Sequence, residues 1–191
     1  MNAITNFDLG VLDAIRENLS CAFLDTVLPF ITRFADHGIG WIVVAVVLLL
    51  FKKTRKTGLM VGAALIIGLV IGNMTLKPLI ARVRPYDLPG KELIRDALLV
   101  APLSDFSFPS GHTLASFEAA TVLMIRDKKL GIPALILAFI IAFSRLYLYV
   151  HYFTDVVAGL LLGVLFGALG YLIVKKCFDL YEKKKAAKKA E

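Results

Sequence analysis

Two basic side chains precede a proline near the middle of the chain. Lys77 and Arg84 are seven positions apart, and Pro85 follows directly. On a helix, residues seven apart lie on one face, two turns from each other. Proline disfavours helical backbone at the residue before it, so Arg84 should lie where the helix ends. Two such cations can either snorkel to a membrane surface or bind an anion, and this segment alone favours neither.

A second segment, residues 108–113, reads FPSGHT and should open a helix. Ser110 can cap that helix, and Gly111 lets a ligand come close to the backbone. The unpaired N–H groups at a helix N-terminus suit a phosphate. Taken alone, however, the segment is typical of an ordinary helix cap, and His112 gains meaning only beside the other segments.

The third segment contains Ser144, Arg145, His151 and Asp155. His151 and Asp155 are four residues apart, which predicts that they share a helical face. The carboxylate can then bind one ring nitrogen and leave the other to act as a nucleophile. A single His/Asp pair is more often structural, so the chemical interpretation depends on the three segments together.

The elements that must position these segments are apolar helices. Of the 191 residues, 58% are hydrophobic and 19% are charged, and the mean hydropathy is +0.76. These values exclude a soluble enzyme, a disordered chain and a disulfide scaffold. Since a spanning helix needs about 20 apolar residues, we predict a single all-α domain over residues 1–191, a polytopic membrane bundle with about six crossings at residues 21–35, 39–51, 58–80, 113–125, 130–148 and 153–174.

Both ends of the chain should lie at the membrane surface. Apolar residues recur at helical spacing within residues 1–20, which predicts an interfacial amphipathic helix with Phe7, Val11, Leu12, Ile15 and Leu19 on one face. Residues 175–191 contain seven lysines and three acidic residues, which is +4 of the chain's +7 net charge. This charge should face an anionic cytoplasmic leaflet. A nucleic-acid partner is not expected, because the positive charge is spread over short clusters.

Basic loops also set the expected orientation. Clusters at residues 52–56 and 126–129, together with the basic tail, lie on one side of a six-crossing bundle, and so does the N-terminus. The positive-inside rule assigns that side to the cytoplasm. The three chemical segments then face the outside, where an anionic ligand would explain their unusual basic residues: Arg82, Arg84, Lys91, Arg95 and Arg145. Neither Cys21 nor Cys177 has the spacing of a metal or redox pair.

In chain order, the three segments read K-x6-R-P, P-S-G-H and S-R-x5-H-x3-D, and all eleven fixed positions are met. This pattern resembles the type 2 phosphatidic acid phosphatase family, the membrane lipid-phosphate phosphatases related to vanadium haloperoxidases. The resemblance extends from the third predicted crossing to the end of the chain. The short length is similar to that of the small bacterial members.

The resemblance implies a role for each matching residue. His151 would attack the terminal phosphorus and form a phosphohistidine, Asp155 would orient His151, and His112 would protonate the leaving oxygen and then activate water. The phosphoryl oxygens would be held by the remaining positions: Lys77, Arg84, Ser110, the Gly111 N–H and Arg145. Because these donors supply the positive charge, neither a metal nor another cofactor is expected.

The resemblance also implies the substrate class, a lipid phosphate or diphosphate in the outer leaflet, with membrane lipids as the other partners. Undecaprenyl diphosphate is the first choice, and its hydrolysis would regenerate the lipid carrier for cell-wall synthesis. Phosphatidylglycerophosphate and phosphatidic acid are the alternatives. A haloperoxidase conflicts with the spanning segments, and a non-catalytic lipid-binding protein would not need the two histidines. Glu118, an acidic residue within an apolar run, is a further candidate without an assigned role.

Overall fold

The computed structural model describes residues 3–190, and every regular element in that range is helical. The ends of the predicted N-terminal segment and of the predicted tail, residues 1, 2 and 191, lie outside the described residues. The helices are α1 (Ala3–Leu19), α2 (Ala22–Thr32), α3 (Ile39–Leu50), α4 (Arg55–Ile67), α5 (Lys77–Ile80), α6 (Glu92–Asp96), α7 (Gly111–Arg126), α8 (Lys128–Tyr147) and α9 (Phe153–Ala190).

Four helical stretches are long and apolar enough to cross a membrane: Ala22–Leu50, Arg55–Asp87, Lys128–Tyr147 and Phe153–Lys188. Helix α7 has 16 residues and lies among them, packed against α4, α8 and α9. The predicted all-α membrane bundle is therefore confirmed, and the predicted count of six crossings was approximate.

Small residues bring α9 against α7, as their four-residue spacing predicts. A Cβ atom on Gly159 would lie 2.9 Å from the Ser110 carbonyl oxygen, and one on Gly163 would lie 2.7 Å from that of Leu114. The two backbones are thus in contact over several turns. This contact fixes the N-terminal ends of α7 and α9 beside each other.

The helix that begins as α4 becomes a π-helix before it ends. Residues Gly68–Leu76 are π-helical and lead into α5 without a break. Ala81 then takes a positive φ of 49° and terminates α5. The prediction that Lys77 and Arg84 share a helical face is wrong, because the helix ends at Ile80. The extended residues that follow carry Arg84 back toward Lys77.

Helix α2 does not run the length of the bundle. The Cys21 N–H donates to the Tyr147 hydroxyl at 3.3 Å, and Thr32, at the other end of α2, accepts from Arg145 Nη1 at 2.9 Å. Both ends of α2 therefore contact the same end of α8. The chain turns at His37 and Gly38, whose φ values are 50° and 72°, and α3 then leaves in a new direction.

As a result, α1 and the far end of α9 lie at opposite ends of the bundle. The basic clusters are brought together at the α9 end: Arg126 Nε donates to Thr57 Oγ1 at 3.3 Å, and Lys56 Nζ lies 4.6 Å from the centre of the Phe178 ring. Within the described residues, α1 and the lysine-rich end of α9 therefore do not share one end of the bundle, because α2 does not run its length.

Helix α1 forms over Ala3–Leu19, and only some of its residues are buried within the protein. Leu12 is fully buried, whereas Phe7 and Leu19 are exposed. Asp8, an acidic residue that the apolar pattern leaves out, is also fully buried. A buried carboxylate needs a charged or hydrogen-bonding partner, and that partner lies at the candidate site.

Candidate active site

A cavity of about 1740 Å³ runs along the bundle, from the residues around His151 to Cys177 and Phe178. Six of the eight predicted site residues line it: Lys77, Arg84, Gly111, His112, Arg145 and His151. The other two, Ser110 and Asp155, are fully buried behind the lining. The cavity continues between α3 and α4 as an apolar groove lined by residues such as Ile42, Val46, Leu59 and Ile66. The cavity thus combines cations, the imidazoles of both predicted site histidines and an apolar channel.

His151 lies in the short loop before α9, and not on the helix that carries Asp155 as the spacing predicts. Its Nδ1 is 3.6 Å from Asp155 Oδ2 and 3.4 Å from Ser107 Oγ, and the Ser107 hydroxyl donates to the same carboxylate oxygen. On the other side of the ring, Arg84 Nη1 is 3.3 Å from Nε2. Since a guanidinium can only donate, Nε2 accepts and the ring proton lies on Nδ1.

The surroundings of His151 keep its imidazole neutral. Burial, together with the positive charges of Arg84 and Arg145, lowers the pKa of His151 to about 3, although the hydrogen bond to Asp155 opposes this shift. At neutral pH the ring therefore carries a lone pair on Nε2. That nitrogen faces the cavity, where it can attack an electrophile.

Asp155 lies in the first turn of α9 and is held through both of its carboxylate oxygens. Oδ2 accepts from Ser107 and from the Tyr152 N–H, the latter at 3.0 Å. Oδ1 accepts from Arg82 Nη1 at 2.6 Å. The Asp155 backbone carbonyl accepts from the Ser110 N–H at 3.2 Å. Asp155 therefore connects the loop that carries His151, the start of α7 and the basic segment after α5.

Three cations converge on the cavity. Lys77 and Arg84 both pair with the carboxylate of Asp105, Arg84 through Nη2 at 2.6 Å. Burial raises the pKa of Asp105, but the hydrogen bonds and charges of Lys77 and Arg84 outweigh this and lower it to about 2. The third cation, Arg145, has a buried Nε that has no hydrogen-bond partner among the described residues. These donors match an anion with several oxygens.

The start of α7 differs in detail from the predicted cap. The Ser110 side chain makes no capping hydrogen bond, and its hydroxyl instead pairs with the Thr113 hydroxyl at 3.0 Å. Gly111 faces Asn73, whose Oδ1 would lie 3.1 Å from a Cβ at that position. His112 Nε2 is 2.8 Å from Asp36 Oδ1. The second imidazole thus has its own carboxylate partner at the turn between α2 and α3.

Reasoning from the sequence missed the residues that support the site: Asp8, Asp36, Arg82, Asp105 and Ser107. Arg82 gave the one usable signal, a basic residue on the side where basic residues are unusual. The others lie far from their partners in the chain, and no spacing rule connects them. Glu118 also lines the cavity; it is 1% exposed, and its Oε1 has no partner in the described part of the chain.

Comparison with known proteins gives a consistent result. Residues 57–179 match the PAP2 superfamily. The chain is 35% identical over 159 residues to an undecaprenyl-diphosphatase of Sulfolobus acidocaldarius, covering 82% of this chain and 73% of the relative. It is 30% identical over 146 residues to the undecaprenyl-diphosphatase BcrC of Bacillus subtilis, covering 76% and 72%. A solved transmembrane PAP2-type phosphatidylglycerolphosphate phosphatase from Bacillus subtilis is similar with a TM-score of 0.72 and 27% identity, covering 92% and 88%.

Proposed function

Since this chain belongs to the PAP2 superfamily and is a membrane phosphatase, we propose that it hydrolyses undecaprenyl diphosphate to undecaprenyl phosphate. His151 Nε2 attacks the terminal phosphorus, and the bond between that phosphorus and the bridging oxygen breaks. His112 donates a proton to the leaving oxygen. Water then attacks the phosphohistidine, His112 takes a proton from the water, and inorganic phosphate leaves.

The observation that carries this proposal is the orientation of His151. Its Nε2 faces Arg84 at 3.3 Å, while its Nδ1 faces the carboxylate of Asp155. An imidazole held in this tautomer is a nucleophile, and the adjacent cations stabilise the charge that develops on a phosphoryl group. Lys77, Arg84 and Arg145 supply that charge, and for this reason we propose chemistry that needs no metal.

We propose His112 as the acid and the base; burial and the charge of Arg145 lower its pKa to about 4, and the hydrogen bond to Asp36 opposes this shift. It opens α7 beside the unpaired N–H groups of the helix start, and it lines the same cavity as His151. Its hydrogen bond to Asp36 fixes the ring. A proton donor placed beside the phosphate is what a poor leaving group requires.

We further propose that the site faces outward. The basic clusters lie at the end of the bundle opposite His112 and His151, and positive loops favour the cytoplasm. Undecaprenyl diphosphate is a membrane lipid, and the apolar groove between α3 and α4 offers its chain a path from the site into the bilayer. In this orientation α1 is outside, and the C-terminal tail is in the cytoplasm.

The substrate is tested by phosphate release from a panel of purified lipids in EDTA: undecaprenyl diphosphate, phosphatidylglycerophosphate and phosphatidic acid. The similarity to a phosphatidylglycerolphosphate phosphatase makes the second lipid the specific alternative. We expect the highest kcat/KM for undecaprenyl diphosphate, and no turnover of any lipid by His151→Ala. A higher kcat/KM for phosphatidylglycerophosphate would replace the proposed substrate.

The orientation is tested by the two native cysteines, which are both exposed and lie at opposite ends of the bundle. Two single-cysteine variants, Cys177→Ser and Cys21→Ser, form a matched pair. In intact cells, an impermeant maleimide should label the first variant at Cys21 and leave the second, which keeps Cys177, unlabelled. Labelling of Cys177 alone would place the site in the cytoplasm, and labelling of both or of neither would contradict the placement of the two cysteines on opposite sides of the membrane.

A further inference from the structure

A buried ionic network lies behind the candidate nucleophile and connects it to helix α1. Arg82 Nη1 donates to Asp155 Oδ1 at 2.6 Å, and Arg82 Nη2 donates to Asp8 Oδ2 at 2.7 Å. Both carboxylates are fully buried. One guanidinium therefore bridges the residue that orients His151 and an acidic residue nearly 150 positions earlier in the chain.

The network is closed by hydrogen bonds that leave little freedom. Asp8 accepts from the Thr154 N–H at 2.9 Å and from the Thr154 hydroxyl at 2.7 Å. The Arg82 guanidinium stacks 3.7 Å above the Tyr152 ring. The Arg82 carbonyl also accepts from the Ser107 N–H at 2.8 Å, and the Ser107 hydroxyl is another donor to Asp155. Arg82 thus positions Asp155 directly and its neighbour Ser107 through the backbone.

The network contains two carboxylates, Asp8 and Asp155, but only one guanidinium, that of Arg82. The groups that face Asp155 are Asp8 from α1, Arg82 after α5, Ser107 before α7, and His151 and Tyr152 before α9. Among these, Arg82 is the only one that carries a positive charge while His151 is neutral. Without Arg82, two buried carboxylates would share no cation, and one of them would take up a proton. A protonated Asp155 could no longer accept from His151 Nδ1.

We propose that Arg82 and Asp8 are positioning residues for the reaction: Arg82 keeps Asp155 ionised and oriented toward His151, and Asp8 anchors Arg82 to α1. Neither residue is a fixed position of the three sequence motifs, and Asp8 lies outside residues 57–179, which match the superfamily. Helix α1 thereby completes the active site. This inference rests on the proposed phosphohistidine chemistry.

The test measures the rate of phosphohistidine formation by rapid quench, with nitrophenyl phosphate as substrate. Loss of a residue that holds a reacting group through another side chain typically lowers the rate about 10–100-fold. We expect the loss in Arg82→Gln to lie near the upper end of that range. The inhibition constant of inorganic phosphate should change less than about twofold, because Lys77, Arg84 and Arg145 are intact. The acid limb of the pH profile should move to higher pH, since Asp155 then protonates more readily. Substrate ionisation is the same in every variant and cancels from this comparison.

The double variant Asp8→Asn/Arg82→Gln distinguishes a loss of charge balance from a loss of structure. Asp8→Asn alone should slow the step by about 3–10-fold, a smaller loss because Arg82 keeps its bond to Asp155. Combined with Arg82→Gln, it should restore part of the rate, because one of the two uncompensated carboxylates is gone. Arg82→Lys should keep most of the rate and the wild-type pH profile. Asp13→Asn is the matched control on α1, where Asp13 accepts from the Tyr149 hydroxyl at 2.7 Å and lies outside the network.

The outcomes are distinguishable. If the wild-type protein forms no phosphohistidine, the proposed function fails. If it does, but the double variant is slower than Arg82→Gln, or Arg82→Gln keeps the wild-type pH profile, then Arg82 and Asp8 act only in folding and the inference is overturned. An equal loss in Asp13→Asn would likewise show that docking of α1, and not the network, sets the rate.

Discussion

Asp105 pairs with two of the three cations that a phosphate group would contact. Its carboxylate pairs with Lys77 and with Arg84, whose side chains are 10% and 2% exposed, while the Asp105 side chain itself is 51% exposed. We call Lys77, Arg84 and Arg145 the cationic cradle. A loop carboxylate that pairs with two of these residues occupies the place of an oxygen of a bound phosphate. We therefore predict that Asp105 competes with phosphate, and that Asp105→Asn binds inorganic phosphate more tightly.

The size of the effect follows from the two ion pairs. An exposed pair typically contributes about 0.2–1 kcal/mol, and the half-exposed carboxylate places these two in the same range. Their combined loss is then about 0.5–2 kcal/mol, which corresponds to about 2- to 30-fold in a binding constant. Because the asparagine oxygen can still accept a hydrogen bond from one cation, we expect a value near the middle, about fivefold.

The assay is competitive inhibition of nitrophenyl phosphate hydrolysis by inorganic phosphate, measured on purified protein in detergent. Asp87→Asn is the matched control: it removes the same charge from the same end of the bundle, but Asp87 pairs with Arg95 at 2.9 Å, away from the cradle. The inhibition constant of this control should stay within twofold of the wild-type value, as expected for screened surface charge.

The pH dependence sharpens the prediction. Because the pKa of Asp105 is lowered to about 2, its carboxylate is ionised above that pH, and acidification to pH 5 cannot imitate Asp105→Asn. The ratio of inhibition constants should therefore be constant between pH 5 and pH 8. Weaker phosphate binding by Asp105→Asn would refute the reasoning, since it would mean that Asp105 holds Lys77 and Arg84 in place for the substrate.

Three further predictions follow from the same geometry. His112→Ala should slow phosphohistidine formation by about 10²–10⁴-fold on a lipid phosphate and far less on nitrophenyl phosphate, whose leaving group needs no proton; equal losses would show that His112 is not the acid. Phosphate release should continue in EDTA and be inhibited by vanadate, whereas activity that EDTA abolishes and Mg²⁺ restores would contradict the mechanism. Gly163→Ala should destabilise the bundle by about 1–3 kcal/mol, seen as a lower midpoint of thermal unfolding, because its Cβ would lie 2.7 Å from the Leu114 carbonyl oxygen; Gly62→Ala is the control, with nothing within 4 Å of its Cβ.

The sequence predicts the parts of this protein that depend on local pattern. Apolar runs predict the helices, the small residues of α9 predict its contact with α7, and the motif spacing identifies six residues that line one cavity. Local sequence pattern does not predict the positions of residues that follow the end of a helix or lie in a loop. Lys77 and Arg84 meet only because Ala81 ends α5 with a positive φ, and His151 reaches Asp155 from a loop.

The number of passes could not be read from hydropathy, because α2 is apolar enough to suggest a crossing. Its actual position is decided by tertiary contacts: the Tyr147 hydroxyl donates to Asp25 at 2.6 Å, and Arg145 donates to Thr32. These polar partners lie at one end of the bundle and hold α2 there. Likewise, Asp8 looks like a solvated residue on an amphipathic helix, and its burial follows only from Arg82, which lies more than 70 residues away.

Lys77, Arg84 and Arg145 are three buried cations in one cavity. Bringing them together costs free energy, and the residues around them reduce that cost. Like charges in such a place repel each other and lose solvation. The loop carboxylate of Asp105 offsets this for two of the cations, and Thr32 accepts from the third. A phosphate that enters must supply a better set of bonds than this loop does. Under the proposed function, tight substrate binding requires that Asp105 move aside, and its return when phosphate leaves would favour release of the product.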